Sequence, residues 1–227
     1  MKTQRDYYHS PAFTAKATVI KLTPSGTGGF VILDRTIFCV QGGGQPADTG
    51  TIGGAVVTHV EAPKDTPDII IHTVTSLDGL NEGAEVDLRI DVSRRQLHSR
   101  LHTGGHLLAA LVEELLPAMK AVGGHHWPGE GRVEFIFGGV VPDDFEQALT
   151  TAITNTIATD LPVKRSISHE GDRYVQIGEY SALRCGGTHC WHLKELGSIT
   201  LRGIKQKKDR LRIGYDVSDA RPDERCA

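Results

Sequence analysis

Two short stretches carry side chains that can hold a metal: "LHTGGHLL" (101–108) and "RCGGTHCWH" (184–192). His102 and His106 stand four positions apart, so on a helix both imidazoles leave one face. Such a pair can reach a single ion at about 2.0–2.1 Å per nitrogen. Cys185 and His189 repeat the spacing with a thiolate and an imidazole. Together the four residues offer one sulfur and three nitrogens, a set suited to one tetrahedral zinc ion per chain. Spacing alone leaves the register open. His98 shares the face of His102 and His106, and Cys190 and His192 flank the second pair. The glycines favour His102 with His106. Gly104 and Gly105 each cost roughly 1 kcal/mol in a helix interior, and their missing side chains let a chain segment or a substrate come close to the metal. Nothing comparable lies between His98 and His102.

The elements that must position these groups change in character near residue 91. Before it, "AKATVIKL", "GFVILDRTIFCV", "GAVVTHVEA", "DIIIHTV" and "NEGAEVDLRID" are short β-branched runs. Gly/Pro/Asp turn clusters separate them, which predicts a small barrel or folded sheet. From Ser93, Leu97, Leu101, Leu108, Leu111 and Leu115 recur at helical spacing as far as Pro117, with Ser93 and Gln96 as an expected capping box. A Gly/His loop ("AVGGHHWPGEG") then leads to a strand "RVEFIF", and a helix within "PDDFEQALTTAITNTIATD" leads to a strand "PVKRSIS". "GSITLRGIKQKKDRLRIGYDV" reads as two strands around a charged turn, followed by a polar tail. The expected fold is α+β: a small β-barrel-like subdomain over 1–90, then an α+β domain over 91–227 with helices packed on an antiparallel sheet.

The bulk composition excludes some classes of function. With 227 residues, 39% of them hydrophobic and 23% charged, the chain can bury a real core as one large or two small domains. Its net charge of −3 gives no global basic field for nucleic acid. Basic residues are instead concentrated in "LRGIKQKKDRLR", with Arg202, Lys205, Lys207, Lys208, Arg210 and Arg212, and at the helix start with Arg94, Arg95 and Arg100. Both places suit phosphate contacts. No apolar run has membrane-spanning length and no signal segment opens the chain, so a cytoplasmic protein without a membrane partner is expected. Cys39, Cys185, Cys190 and Cys226 are too few and too scattered for a disulfide scaffold. A zinc peptidase would want a glutamate between the helix histidines, and Thr103, Gly104 and Gly105 supply none. Asp48-Thr49-Gly50 is an aspartic-protease triplet, but only one occurs where two are needed.

"IDVSRRQLHSRLHTGGHLLAAL" together with "CGGTHC" resembles the editing domain of alanyl-tRNA synthetases, and more specifically the AlaX trans-editing proteins. "DRTIFCVQGGGQPADTGTIGG" matches a further, N-terminal signature of the same group, and the three motifs keep the family's order over residues 34–190. With the glycine loop present and no aminoacylation domain, the resemblance is to the medium-length class. Threonyl-tRNA synthetase editing domains share the two metal-type pairs without this loop. The resemblance implies His102, His106, Cys185 and His189 as zinc ligands, with His98, Cys190 and His192 as bystanders. It further implies hydrolysis of a wrong amino acid, chiefly serine, from the acceptor end of tRNA(Ala). The alternatives are a glycyl or other mischarged tRNA as substrate, or a closed structural zinc module that binds tRNA without catalysis. Gln45 is then the candidate to orient water or substrate. Gly43 and Gly44 offer backbone N–H groups to a developing oxyanion, and Thr49 offers a bond to a serine hydroxyl. Two departures bear on pocket size and amino-acid preference. "FCVQ" stands where relatives usually show Phe-Tyr-Pro followed by Gln or Glu, and Thr-Gly-Gly stands in the helix motif where Thr-Ala-Thr or Ser-Ala-Thr is commoner.

Overall fold

The computed structural model describes residues 2–136 and 139–218. Phe137, Cys226 and the "RPDERCA" tail lie outside the described residues. Two compact units divide the chain. One takes residues up to Gly42 together with Pro46–Gln96; the other takes Gly43–Gln45 together with Leu97 onward.

In the first unit, β1 (Gln4–Arg5) pairs in parallel with β4 (Arg35–Thr36). Six strands close a barrel in the order β2-β3-β7-β6-β5-β8: β2 (Thr14–Ser25), β3 (Gly28–Leu33), β5 (Gly50–Ile52), β6 (Ala55–Glu61), β7 (Ile71–Val74) and β8 (Glu85–Ile90). The long β2 makes closure possible. Its first residues pair with β8, and after a bulge between Val19 and Lys21 the rest pairs with β3. Alternating residues such as Val19, Val31, Leu33, Ile52, Val57, Val60 and Leu88 are fully buried inside, the period of two expected of a half-buried sheet. "GFVILDRTIFCV" is not one strand, because β3 ends at Leu33. The Asp34 carboxylate accepts the backbone N–H groups of Thr18 and Arg35 at 2.8 Å each, and this local turn competes with the ladder.

In the second unit, a four-stranded antiparallel sheet runs β14-β15-β10-β9, from β9 (Lys120–His125), β10 (Arg132–Ile136), β14 (Ile199–Lys207) and β15 (Arg210–Val217). A three-stranded sheet runs β11 (Val163–Ile167), β12 (Arg173–Ile177) and β13 (Leu183–Arg184). One apolar cluster joins Leu101, Leu107, Leu108 and Leu111 of α1 (Val92–Leu115) to Leu149 and Ile153 of α2 (Phe145–Ala158) and to Phe135, Leu211, Ile213 and Tyr215 of the sheet. The architecture is thus a barrel plus helices on antiparallel sheets, α+β as expected. Two details differ. The start of α1 is capped by Asp91, whose carboxylate accepts the Arg94 N–H at 3.0 Å, so the cap falls two residues before the expected Ser93 box. Half of the expected Gly/His loop is strand β9, paired along β10 with a bulge between Glu134 and Phe135. No helix among the described residues is long and apolar enough to cross a membrane.

Candidate metal centre

Helix α1 supplies His102 and His106, and the segment following β13 supplies Cys185 and His189. Their ligand atoms all lie within 4.8 Å of one another, so this cluster can hold one metal ion. Cys185 Sγ is 3.4 Å from His102 Nε2 and 3.2 Å from His189 Nε2. Sulfur and nitrogen on one tetrahedral zinc would stand ~3.5 Å apart.

The tautomers are set from behind. His102 Nδ1 is 2.7 Å from Gln45 Oε1. A carbonyl oxygen only accepts, so Nδ1 carries the hydrogen and Nε2 turns its lone pair towards the thiol. The Thr103 hydroxyl donates to the Ser99 carbonyl at 2.8 Å, which leaves its oxygen to accept from His189 Nδ1 at 3.1 Å and from the Cys190 N–H at 3.0 Å. His189 Nε2 is thereby also presented to the thiol. Gln45 itself is buried, with Oε1 accepting the Thr188 N–H and Nε2 donating to Thr188 Oγ1, both at 2.9 Å. The residue expected to orient water or substrate thus lies against His102, its amide oxygen on the ring Nδ1.

Three of the motif glycines have a structural reason. A Cβ on Gly187 would fall 2.2 Å from the His102 ring and 2.7 Å from Gln45 Oε1, so only glycine lets imidazole and amide meet there. Gly104 lies against Ile199, Tyr215 and Val217, where a Cβ would be tight at 3.3–3.5 Å. At Gly105 a Cβ would strike the His126 ring at 2.4 Å. Of the two occupants that the sequence leaves open there, a chain segment or a substrate, the space belongs to a chain segment.

Two arginines that sequence reasoning missed hold the Cys185–His189 loop. Arg173, buried on β12, donates to the Gly187 carbonyl. Arg165 on β11 donates to the carbonyls of His189 and Cys190 and stacks 3.9 Å from the Trp191 ring centre. Their only sequence signal is a basic residue within a strand pattern, which solvent-facing positions produce just as often.

Burial holds the His102 imidazole well below its ordinary pKa, with His126, His106 and Arg173 adding to the effect. Burial likewise depresses His189 strongly and His106 to about 4. These three rings are neutral near pH 7, as ligation requires. Burial pushes the Cys185 thiol up, against the Gly187 N–H and Arg173, which lower it. A bound cation would drive the proton off. The centre opens into a cavity of about 610 Å³ lined by His102, Gly105, His106, His126, Cys185 and Gly43, and extending along α1 past Ala109 and Glu113.

The other expected residues divide. Gly43 lines this cavity, and the Gly44 carbonyl accepts the His126 N–H at 2.8 Å. Thr49 belongs to the barrel unit, where its carbonyl accepts the Asp91 N–H at 2.8 Å. Arg95, expected among the phosphate contacts, is instead buried in that unit, its guanidinium held by the Asp48 carboxylate and the Ile37 carbonyl. A charge so enclosed is not available to a phosphate. Arg94 is half-buried and donates to the Ala47 carbonyl at 3.1 Å. Lys205, Lys207, Lys208 and Arg210 are exposed on the β14–β15 hairpin, and none is ion-paired among the described residues. Arg202 and Arg212 are taken up by Asp216 and Glu134. His98 is buried outside the cluster. The Cys190 thiol is pushed up to about 12 by burial, and His192 starts the short 3₁₀ turn Leu193–Leu196. His125 stacks on Trp127, whereas His126 is buried and lines the cavity.

Comparisons with known proteins point to one family. The family model for class II tRNA synthetases (A) matches residues 9–94. The chain is 33% identical over 200 residues to the alanyl-tRNA editing protein AlaX-M of Pyrococcus horikoshii, covering 86% of this chain and 88% of that protein. It is 31% identical over 207 residues to the alanine–tRNA ligase of Streptomyces avermitilis, and 34% identical over 206 residues to that of a Parafrankia species. The chain spans 23% of the length of each of these two ligases.

Proposed function

The chain belongs to the family of AlaX-type alanyl-tRNA editing proteins, and from that premise we propose that it is a zinc-dependent aminoacyl-tRNA deacylase acting on mischarged tRNA(Ala), chiefly Ser-tRNA(Ala), in the cytoplasm. One observation carries the reading: four ligand atoms within 4.8 Å of one another lie at a cavity large enough for an aminoacyl ester. The active unit is the one formed by Gly43–Gln45 and the chain from Leu97 onward.

Zinc held by His102, His106, Cys185 and His189 would supply a Lewis acid for the ester carbonyl or an anchor for the substrate amino group. Gln45 and Thr103 keep two imidazole lone pairs aimed at the centre, and Arg173 and Arg165 hold the loop that carries the other two ligands. The glycine loop brings Gly43 to the cavity wall, where backbone N–H groups can meet negative charge developing on the ester oxygen. Lys205, Lys207, Lys208 and Arg210 on the β14–β15 hairpin would give the acceptor stem phosphate contacts, and Arg94 of the other unit separately offers one.

Specificity follows from a second sieve. A pocket built for alanine cannot strongly exclude a side chain that merely adds a hydroxyl. A separate site that bonds this hydroxyl leaves a polar group unpaired when alanine enters, a penalty of about 1–3 kcal/mol. The test is deacylation of Ser-tRNA(Ala) and Ala-tRNA(Ala) by the purified protein, with and without a chelator. Rapid, chelator-sensitive loss of the seryl ester with the alanyl ester spared is expected. Survival of both at their spontaneous rates would leave a closed zinc module that binds tRNA without catalysis.

A further inference from the structure

His126 is held more tightly than a loop histidine needs to be. A Cβ on Gly105 would sit 2.4 Å from its Cε1, a Cβ on Gly124 2.6 Å from its Nε2, and a Cβ on Gly44 3.1 Å from its Cδ2. Three glycines from three separate segments therefore leave a slot the size of one imidazole. Within it the ring stacks on His102, with centroids 4.5 Å apart and planes 24° apart.

Its tautomer is fixed as well. Tyr215 Oη lies 2.7 Å from the Leu101 carbonyl and 2.7 Å from His126 Nδ1. The phenol has one hydrogen, and the carbonyl can only accept it. Tyr215 Oη must then accept from His126, so Nδ1 bears the hydrogen and Nε2 is a bare lone pair. His126 lines the cavity beside His102 and His106, and among the described residues its ring bonds through Nδ1 alone. A rigid, acceptor-only group on the wall of a binding cavity selects for a donor.

We propose that His126 reads the amino-acid side chain of the bound ester, its Nε2 accepting the O–H of a hydroxyl-bearing residue such as serine. An alanyl or glycyl ester leaves that lone pair unpaired. The proposal rests on the deacylase reading above and names the group that would give it its preference. It also connects two features of the sequence. Any side chain at position 105 would put a Cβ into the ring, so Gly105 and this placement of His126 go together in the chain.

The experiment compares wild type with His126→Asn, whose amide can still donate to Tyr215 but offers nothing at the Nε2 position. Metal content is measured first. Binding of non-hydrolysable seryl and alanyl amide analogues of the terminal adenosine follows, then deacylation of Ser-tRNA(Ala) and Gly-tRNA(Ala). Wild type should favour the seryl analogue by roughly tenfold or more. The variant should keep its metal, lose that preference, and show a seryl-to-glycyl rate ratio lower by a similar factor. An unchanged ratio, whether all rates persist or all fall together, overturns the proposal. A seryl preference that disappears in the variant, without hydrolysis of any ester by wild type, sinks the deacylase reading and leaves this one standing. Tyr215→Phe covers the event that His126→Asn does not fold. Freed of its tautomer lock, His126 should give a smaller loss of the same preference, and a full preference there contradicts the proposal.

Discussion

Buried histidines in the two units are partnered in different ways. In the barrel, His72 is fully buried with both nitrogens satisfied: Nδ1 donates to the Val31 carbonyl at 3.1 Å and Nε2 accepts from the Thr36 hydroxyl at 2.8 Å. Asp48 and Arg95 likewise close on each other and on neighbouring backbone groups. In the second unit, His102 and His189 are as deeply buried, but each satisfies only Nδ1 from the protein and turns Nε2 towards Cys185. A histidine that completes its own hydrogen bonds is part of a core. One whose second nitrogen is aimed at another ligand-type atom is placed so that it can hold a metal ion.

The largest effect that could break this contrast concerns Arg95. If the pair is structural, Arg95→Leu leaves a buried carboxylate without its partner and should cost about 3–5 kcal/mol in urea unfolding. Normal stability combined with weaker tRNA binding would return Arg95 to the phosphate-contacting set. His72 comes next. Burial pushes its pKa down to about 4, whereas the unfolded chain takes up a proton near 6.5. Stability should be whole above about pH 6.5 and fall by about 3 kcal/mol as the pH drops to about 4. The difference between wild type and His72→Asn in pH-dependent unfolding measures it, and a flat difference would mean that the ring is hydrated. Gln45 sharpens the comparison from the other unit. Gln45→Ala should weaken metal binding by about 10–100-fold with the fold intact, measured by competition with a chromogenic chelator. Unaltered metal affinity with slow hydrolysis would restore Gln45 to the reacting atoms. The smallest effects belong to the hairpin: Lys207→Ala and Lys208→Ala should each change stability by no more than about 0.5 kcal/mol and lower the salt dependence of tRNA binding by about one ion.

What the sequence made legible follows from the range of the interactions involved. Barrel strands and the leucine stripe of α1 are periodic patterns, and Cys185 with His189 is a local spacing. All of these survive in one dimension. Strand β9 did not, because Gly123 and Gly124 remove the side-chain alternation that marks a strand. Nor did the placement of Gln45, whose partners His102 and Thr188 lie 57 and 143 positions away. The pairing of Asp48 with Arg95 was hidden because the two lie 47 positions apart. The slot around His126 was hidden because the three glycines that shape it come from segments with no common pattern. The chemistry-bearing types were visible; the groups that aim them had to be folded to be seen.

The most direct measurement is metal stoichiometry by native mass spectrometry and elemental analysis, on wild type and on Cys185→Ala after zinc loading. One zinc per wild-type chain, lost or weakened by at least about a hundredfold in the variant, is the predicted result. A wild type that binds no zinc, or a variant that holds it as firmly, would contradict a centre built from His102, His106, Cys185 and His189.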